Sequence, residues 1–166
     1  LIPVKNGMIT IMQNIIINGA VNLHWGKKDL PAELGGITGL SVWAGNDANV
    51  AALGEMWQGG GKGFSDIVMV TLGTGVGGGV ILDKKIVAGK HGTGGEIGHL
   101  RIREGEKEPC NCGGYGCLEQ VASATGIARE ARRAMEQDSS DTEMRKFGAD
   151  ITAKDVLDCA KAGDAM

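Results

Sequence analysis

Residues 66–89, "DIVMVTLGTGVGGGVILDKKIVAG", leave the backbone few choices. Asp66 to Leu72 is an almost unbroken apolar run, rich in β-branched side chains and of strand length, and it stops at Gly73-Thr74-Gly75. Val76 to Leu82 returns as a glycine-seeded strand, Asp83-Lys84 forms a second turn, and Ile86 to Ala88 a short third strand. Strand, turn, strand, turn, strand is a β-meander. Helical patterns stand on both sides of it, so strands and helices are mixed along the chain. Glycine is abundant for the whole chain, 29 of 166 residues, but only three prolines accompany it. The glycines therefore mark tight turns and close backbone approaches rather than a disordered tract.

Upstream, residues 8–12 and 15–17 read as strands around a turn at Gln13-Asn14. Asp29 is a suitable N-cap for a short helix that Gly35-Gly36 would stop, and residues 40–44 read as a short buried strand. A helix follows from Asn46-Asp47, with Val50, Leu53 and Trp57 on one face and Gly59-Gly60-Gly61 at its end. Downstream, His99 to Arg103 reads as a fourth strand. Residues 117–137 read as helix with an interruption near Thr125-Gly126, and the run Arg129 to Arg133 as its solvated charged face. Residues 138–150 read as loop. Thr152 and Asp155 have capping-box spacing for a last helix that ends near Gly163.

The bulk properties exclude some classes. A net charge of −3 without a long basic stretch argues against a nucleic-acid partner. No apolar run approaches the roughly 18 residues that span a bilayer, and no signal-peptide pattern is present. Four cysteines, one of them (Cys159) far from the rest, are not a secreted disulfide framework, so the cytoplasm is the expected compartment.

Four segments carry candidate chemistry. In "LGTGVGGG", residues 72–79, glycines let N–H groups converge on an anion and Thr74 adds a hydroxyl; a plain tight hairpin is the alternative. It is not a Walker A loop, since no Gly-Lys-Ser/Thr follows, and a strand stands where a dinucleotide fingerprint needs a helix. In "GNDAN", Asn46 and Asp47 open a helix after a strand; either is a plain N-cap, or Asp47 is a general base at a strand end. In "CNCGGYGCLE", Cys110, Cys112 and Cys117 with upstream His99 offer one nitrogen and three sulfurs, a set that suits structural tetrahedral zinc. A redox or catalytic thiol would leave two of the cysteines without a role. Glu96 and Glu119 each stand beside a proposed ligand: two solvated carboxylates, or two that read the vicinal hydroxyls of a sugar. His24 and His91 stand alone and read as ordinary loop histidines.

"NDAN", "TLGTGVGGG", "GGEIGH" and "CNCGGYGCLE" occur here in one order. Together they closely resemble the ROK family of repressors, open-reading-frame proteins and sugar kinases, in particular its bacterial glucokinase branch. The last segment matches that family's C-x-C-G-x-x-G-C-x-E pattern at every fixed position, and Glu96, Gly98 and His99 match its E-x-G-H. The resemblance runs from about Asn18 to about Ala131.

It implies an actin-like, hexokinase-like ATPase fold with ribonuclease H-like lobes, incomplete in this chain. Residues 1–58 would end the small lobe and 59–166 would form part of the large one. Asp47 would take the proton of a sugar 6-hydroxyl, and Asn46, Asp47, Glu96, His99 and Glu119 would hold the sugar, glucose or a related hexose. Gly73, Thr74, Gly75 and Gly77 would line a phosphate loop for ATP with Mg²⁺, and His99, Cys110, Cys112 and Cys117 would bind structural Zn²⁺. His99 would do both jobs by turning one ring nitrogen to zinc and the other to sugar. A homodimer is implied. The family's Asp-x-Gly-Gly-Thr phosphate loop and adenosine segment have no counterpart, "LIPV" replaces a Pro-Gly-Pro-Val-like loop, and Gly45 stands where glucokinases often carry glutamate. A central fragment of such a kinase is therefore expected. The family's sugar-sensing repressors, which carry a helix-turn-helix upstream, are the alternative.

Overall fold

The structure is a computed structural model and describes residues 29–42 and 45–164. The proposed strands at 8–12 and 15–17, the "LIPV" segment and His24 lie outside those residues. The chain divides into two compact units: one runs to Ile67 and takes in Ile81–Ile86, the other is Val68–Val80 with Val87 onward.

The first unit contains helix α1, Leu30–Thr38, and helix α2, Asp47–Gln58. Asp29 caps α1 as expected, accepting the Ala32 N–H at 3.1 Å. The helix runs through Gly35-Gly36, however, and stops at Gly39, whose φ of 68° is left-handed. Glycine inside a helix costs only about 1 kcal/mol; what ends one is a residue that leaves the right-handed region. Of the segment read as a buried strand, Leu40 and Ser41 are exposed. Along α2 Ala48 and Ala52 are buried and Val50 and Leu53 half-buried, while Trp57, expected on the face of the latter two, is exposed.

The meander forms as strands β1 (Ile67–Leu72), β2 (Val76–Leu82) and β3 in the order β1-β2-β3, with β3 at Lys85–Ile86 rather than at the expected Ile86 to Ala88. β3 pairs antiparallel with the end of β2, Ile81 opposite Ile86. Inward residues alternate along β1, leaving Val68, Val70 and Leu72 exposed on its other face.

In the second unit the chain passes tightly over β2. A Cβ on Gly98 would fall 2.0 Å from the Val76 carbonyl oxygen, so only glycine lets the Glu96–His99 segment lie there. Ile97–His99 is a single 3₁₀ turn. The expected strand from His99 to Arg103 does not form. His99 ends the 3₁₀ turn, and the residues after it make one bridge, Arg101 to Cys117, with Ile102 and Arg103 both donating to the Gly116 carbonyl. The partner segment is only a few residues long before helix α3, Glu119–Ala122, begins, and a ladder cannot propagate. Helix α4, Ala124–Gln137, follows a break at Ser123, slightly before the expected site. Residues 143–150, expected as loop, form 3₁₀ turns with a kink at Gly148. Met144 and Phe147, three apart, match the 3₁₀ repeat and pack into the core beside α4 and helix α5, Ala153–Lys161. That core holds Ala131, Met144, Ile151 and Cys159. The capping box of α5 is present, with Thr152 and Asp155 bonding reciprocally.

Candidate functional site

The cysteine loop gathers its side chains onto one point. The ligand atoms of His99, Cys110, Cys112 and Cys117 all lie within 4.8 Å of one another. Cys110 Sγ is 3.6 Å from His99 Nδ1, and Cys112 Sγ is 3.7 Å from Cys117 Sγ. A tetrahedral zinc ion with Zn–S of about 2.3 Å and Zn–N of about 2.0 Å has S–S edges of about 3.8 Å and S–N edges of about 3.5 Å. The donor set and its spacing therefore fit such an ion. All four cysteines are free thiols, and burial pushes the Cys110 thiol up to about 12, with Glu119 accepting its S–H at 3.0 Å. A bound cation would supply the drive to deprotonate the Cys110 thiol.

Backbone shape makes the loop. Gly116 has φ of 72°, and a Cβ there would lie 1.9 Å from the Arg103 carbonyl oxygen. Gln120, buried on α3, staples the loop from beneath. Its Oε1 accepts the N–H groups of Gly116 and Cys117 at 2.8 and 3.1 Å, and its Nε2 donates to the Glu108 carbonyl at 3.0 Å. Gln120 was invisible as a functional residue in the sequence. Its one signal is position, a long polar side chain directly after Glu119 at the start of a helix.

The expected sugar-reading residues of this unit come together around His99. Its Nδ1 faces the cysteines and stands 3.7 Å from Glu119 Oε1, while its Nε2 stands 3.9 Å from Glu96 Oε2. The two ring nitrogens thus look in different directions. The Glu119 side chain is mostly buried and Glu96 is exposed. Glu119 also reaches the glycine turn, where its Oε2 accepts the Val76 N–H at 3.4 Å. A Cβ on Gly75 would fall 2.7 Å from that same oxygen. Gly73, Thr74 and Gly75 form the turn between β1 and β2, closed by Gly73 N–H donating to the Gly75 carbonyl at 3.0 Å; Gly77 lies within β2.

Asn46 and Asp47 sit in the other unit. Asn46 is the N-cap of α2, accepting the Asn49 N–H at 3.1 Å, and Asp47 accepts the Ala48 N–H at 2.8 Å. Both are exposed. The bond to Ala48 uses one carboxylate oxygen of Asp47.

The charged run of α4 is not a solvated face. Arg133 forms hydrogen bonds to both oxygens of Glu106, at 2.8 and 3.0 Å, and Arg129 reaches Glu108 at 3.0 Å and Glu130 at 3.8 Å. Arg103 pairs with Glu130 at 2.7 Å. This network fastens the segment between His99 and Cys110 to the helix. The alternation of Glu104, Glu106 and Glu108 was its signal in the sequence.

Comparison with known proteins places the chain in a family. The ROK family model matches residues 4–166. A glucokinase of Halalkalibacterium halodurans is 46% identical over 93% of this chain and 48% of its own length. A ROK family glucokinase from Streptomyces griseus, solved with glucose and AMPPNP, superposes with a TM-score of 0.72 at 33% identity, over 92% of this chain and 50% of that one. A ROK family transcriptional regulator, a homolog of the E. coli MLC protein, gives 0.76 at 31% identity, over 90% of this chain and 37% of that one. The chain spans about half the length of the curated glucokinases it matches. Over that span it has the actin-like, hexokinase-like α/β fold. The match over nearly all of its residues makes the relationship plain: the chain belongs to the ROK family.

Proposed function

We propose that these residues are part of an ATP-dependent kinase that phosphorylates the 6-hydroxyl of glucose or a related hexose. The observation that carries the reading is the position of Glu119. One carboxylate touches both the glycine turn, through Val76, and the His/Cys cluster, through Cys110 and His99. An element suited to phosphate and an element suited to sugar hydroxyls therefore share a side chain. The glucokinase relatives support the same assignment.

In this reading Asn46, Asp47, Glu96, His99 and Glu119 hold the sugar, and Asp47 accepts the proton of the 6-hydroxyl as its oxygen attacks the terminal phosphorus of ATP. The bond to the ADP oxygen breaks, and ADP leaves. Gly73, Thr74, Gly75 and Gly77 line the phosphate loop, whose unpaired N–H groups meet the phosphate charge. Mg²⁺ would neutralise phosphate charge. Zn²⁺ on His99, Cys110, Cys112 and Cys117 would fix the loop that ends at Glu119, leaving no open position for chemistry. Residues 1–58 belong to a small lobe and 59–166 to a large one, in a cytoplasmic homodimer. The test is ADP release by the complete, zinc-loaded protein with glucose, fructose, mannose and N-acetylmannosamine. Turnover on at least one is expected, and silence on all four would sink the reading.

The likeness to a ROK family transcriptional regulator favours a second reading, a sugar-sensing repressor. It predicts sugar-dependent DNA binding by the complete protein without turnover. The presence of an aspartate at position 47 and a glycine turn at 73–75 weighs toward the kinase.

A further inference from the structure

The glycine turn does not hold itself. Ala124 N–H donates to the Gly73 carbonyl at 2.9 Å, and Thr125 Oγ1 donates to the Thr74 carbonyl at 2.7 Å. The second bond ends a relay with only one consistent direction. A hydroxyl has a single proton, and that of Thr125 goes to Thr74. The contact of 3.0 Å between Ser123 Oγ and Thr125 Oγ1 must then be donated by Ser123. Ser123 Oγ, 1% exposed, in turn accepts the Gly126 N–H at 3.0 Å. The line runs from the backbone of α4 through two hydroxyls to the turn, and each bond polarises the next.

The consequence follows from planarity. A trans peptide holds its C=O and the following N–H on opposite sides, and no described peptide is cis. Two successive carbonyls, Gly73 and Thr74, are drawn onto the start of α4. The N–H groups of Thr74 and Gly75 are therefore both turned away from it. Neither donates to another described residue. Successive N–H groups pointing the same way from a turn form an anion-binding concavity.

We infer that Thr125 is a positioning residue for the nucleotide: through its bond to the Thr74 carbonyl it aims the Gly75 N–H at phosphate, beside the Thr74 N–H that the Ala124 bond aims. The inference rests on the reading of this turn as the phosphate loop. Thr125 touches no substrate in this scheme. Its hydroxyl fixes one peptide plane, which without it is free to rotate and lose its aim.

The experiment is titration of AMPPNP and of glucose into the complete protein, with amide NMR shifts read at Thr74 and Gly75. In the unaltered protein AMPPNP is expected to move both amides. Thr125→Val keeps the shape and removes the donor; its nucleotide Kd should rise about tenfold with glucose Kd and zinc content within twofold. Thr125→Ser should restore nucleotide binding, which a purely steric role would not require. If AMPPNP moves both amides but Thr125→Val binds it within twofold of the unaltered protein, the positioning role is overturned and the phosphate-loop reading stands. If AMPPNP moves neither amide in the unaltered protein, the phosphate-loop reading fails and this inference with it. A loss of nucleotide and glucose affinity together in Thr125→Val would also overturn it.

Discussion

Asp47 and Glu119 are both carboxylates at the start of a helix, yet they are held by different means. Asp47 bonds to its immediate neighbour Ala48, Asn46 caps the same helix, and both side chains are exposed. Glu119 is held by Cys110, His99 and Val76, residues distant along the chain, and is mostly buried. The first is positioned by local rules that any helix N-terminus obeys. The second exists as a site only after strand, 3₁₀ turn and cysteine loop have assembled. A group that must move a proton gains from an open, lightly held carboxylate; a group that must hold a ligand gains from a fixed one.

Substitution at Asp47 sharpens that contrast most. Asp47→Asn keeps an oxygen for the Ala48 N–H and removes the proposed base. Turnover by the complete protein is expected to fall about 1,000-fold, within the usual range for a general base, while sugar Kd changes less than about threefold. Equal losses in both, read by kinetics and calorimetry, would move Asp47 into the same holding class as Glu119.

The next effect breaks the distant assembly and spares the local one. Cys117→Ser would remove a buried ligand of the proposed zinc site, and chelation would remove the ion itself. Zinc content should fall well below one per chain and sugar Kd should rise about 10- to 100-fold, the usual reach of disturbing a metal-supported site. Unchanged sugar affinity in metal-stripped protein would separate the cluster from Glu119 altogether.

Gly116→Ala attacks the same loop through the backbone. Its φ of 72° and the 1.9 Å approach to the Arg103 oxygen leave no room for a methyl group. The expected cost is about 3 kcal/mol of unfolding free energy in urea, against about 1 kcal/mol for Ala51→Gly on the exposed side of α2. Similar costs at the two sites would mean that the loop relaxes as readily as a surface helix.

What was legible in the sequence follows this division between local and distant. The meander, the Asp29 cap and the Thr152–Asp155 capping box depend on adjacent residues, and each was readable from type and spacing. The gathering of His99 with three cysteines was readable because so few residue types ligate zinc. The role of Gln120 was not, because its partners at Gly116, Cys117 and Glu108 become neighbours only once the loop has closed. The strand expected at 99–103 failed for the converse reason: its residue types suit a ladder, but its partner segment is too short to supply one.

The smallest expected effect concerns the charge network that fastens the loop to α4. Hydrogen bonds from Arg133, reinforced by the Glu108 and Lys107 N–H groups, hold the Glu106 carboxyl down from 4.5 to about 2. A folded-state value below the unfolded one contributes stability above the unfolded value, and that contribution is lost as pH falls through the folded one. Glu106 should therefore stabilise the protein fully above about pH 4.5 and progressively less from there to about pH 2. Glu106→Gln keeps the size and removes the charge. The gap in urea midpoint between the unaltered protein and this variant is expected to be constant from pH 7 to 5 and to close between pH 4.5 and 2. A gap independent of pH would show that Glu106 acts by shape and hydrogen bonding alone.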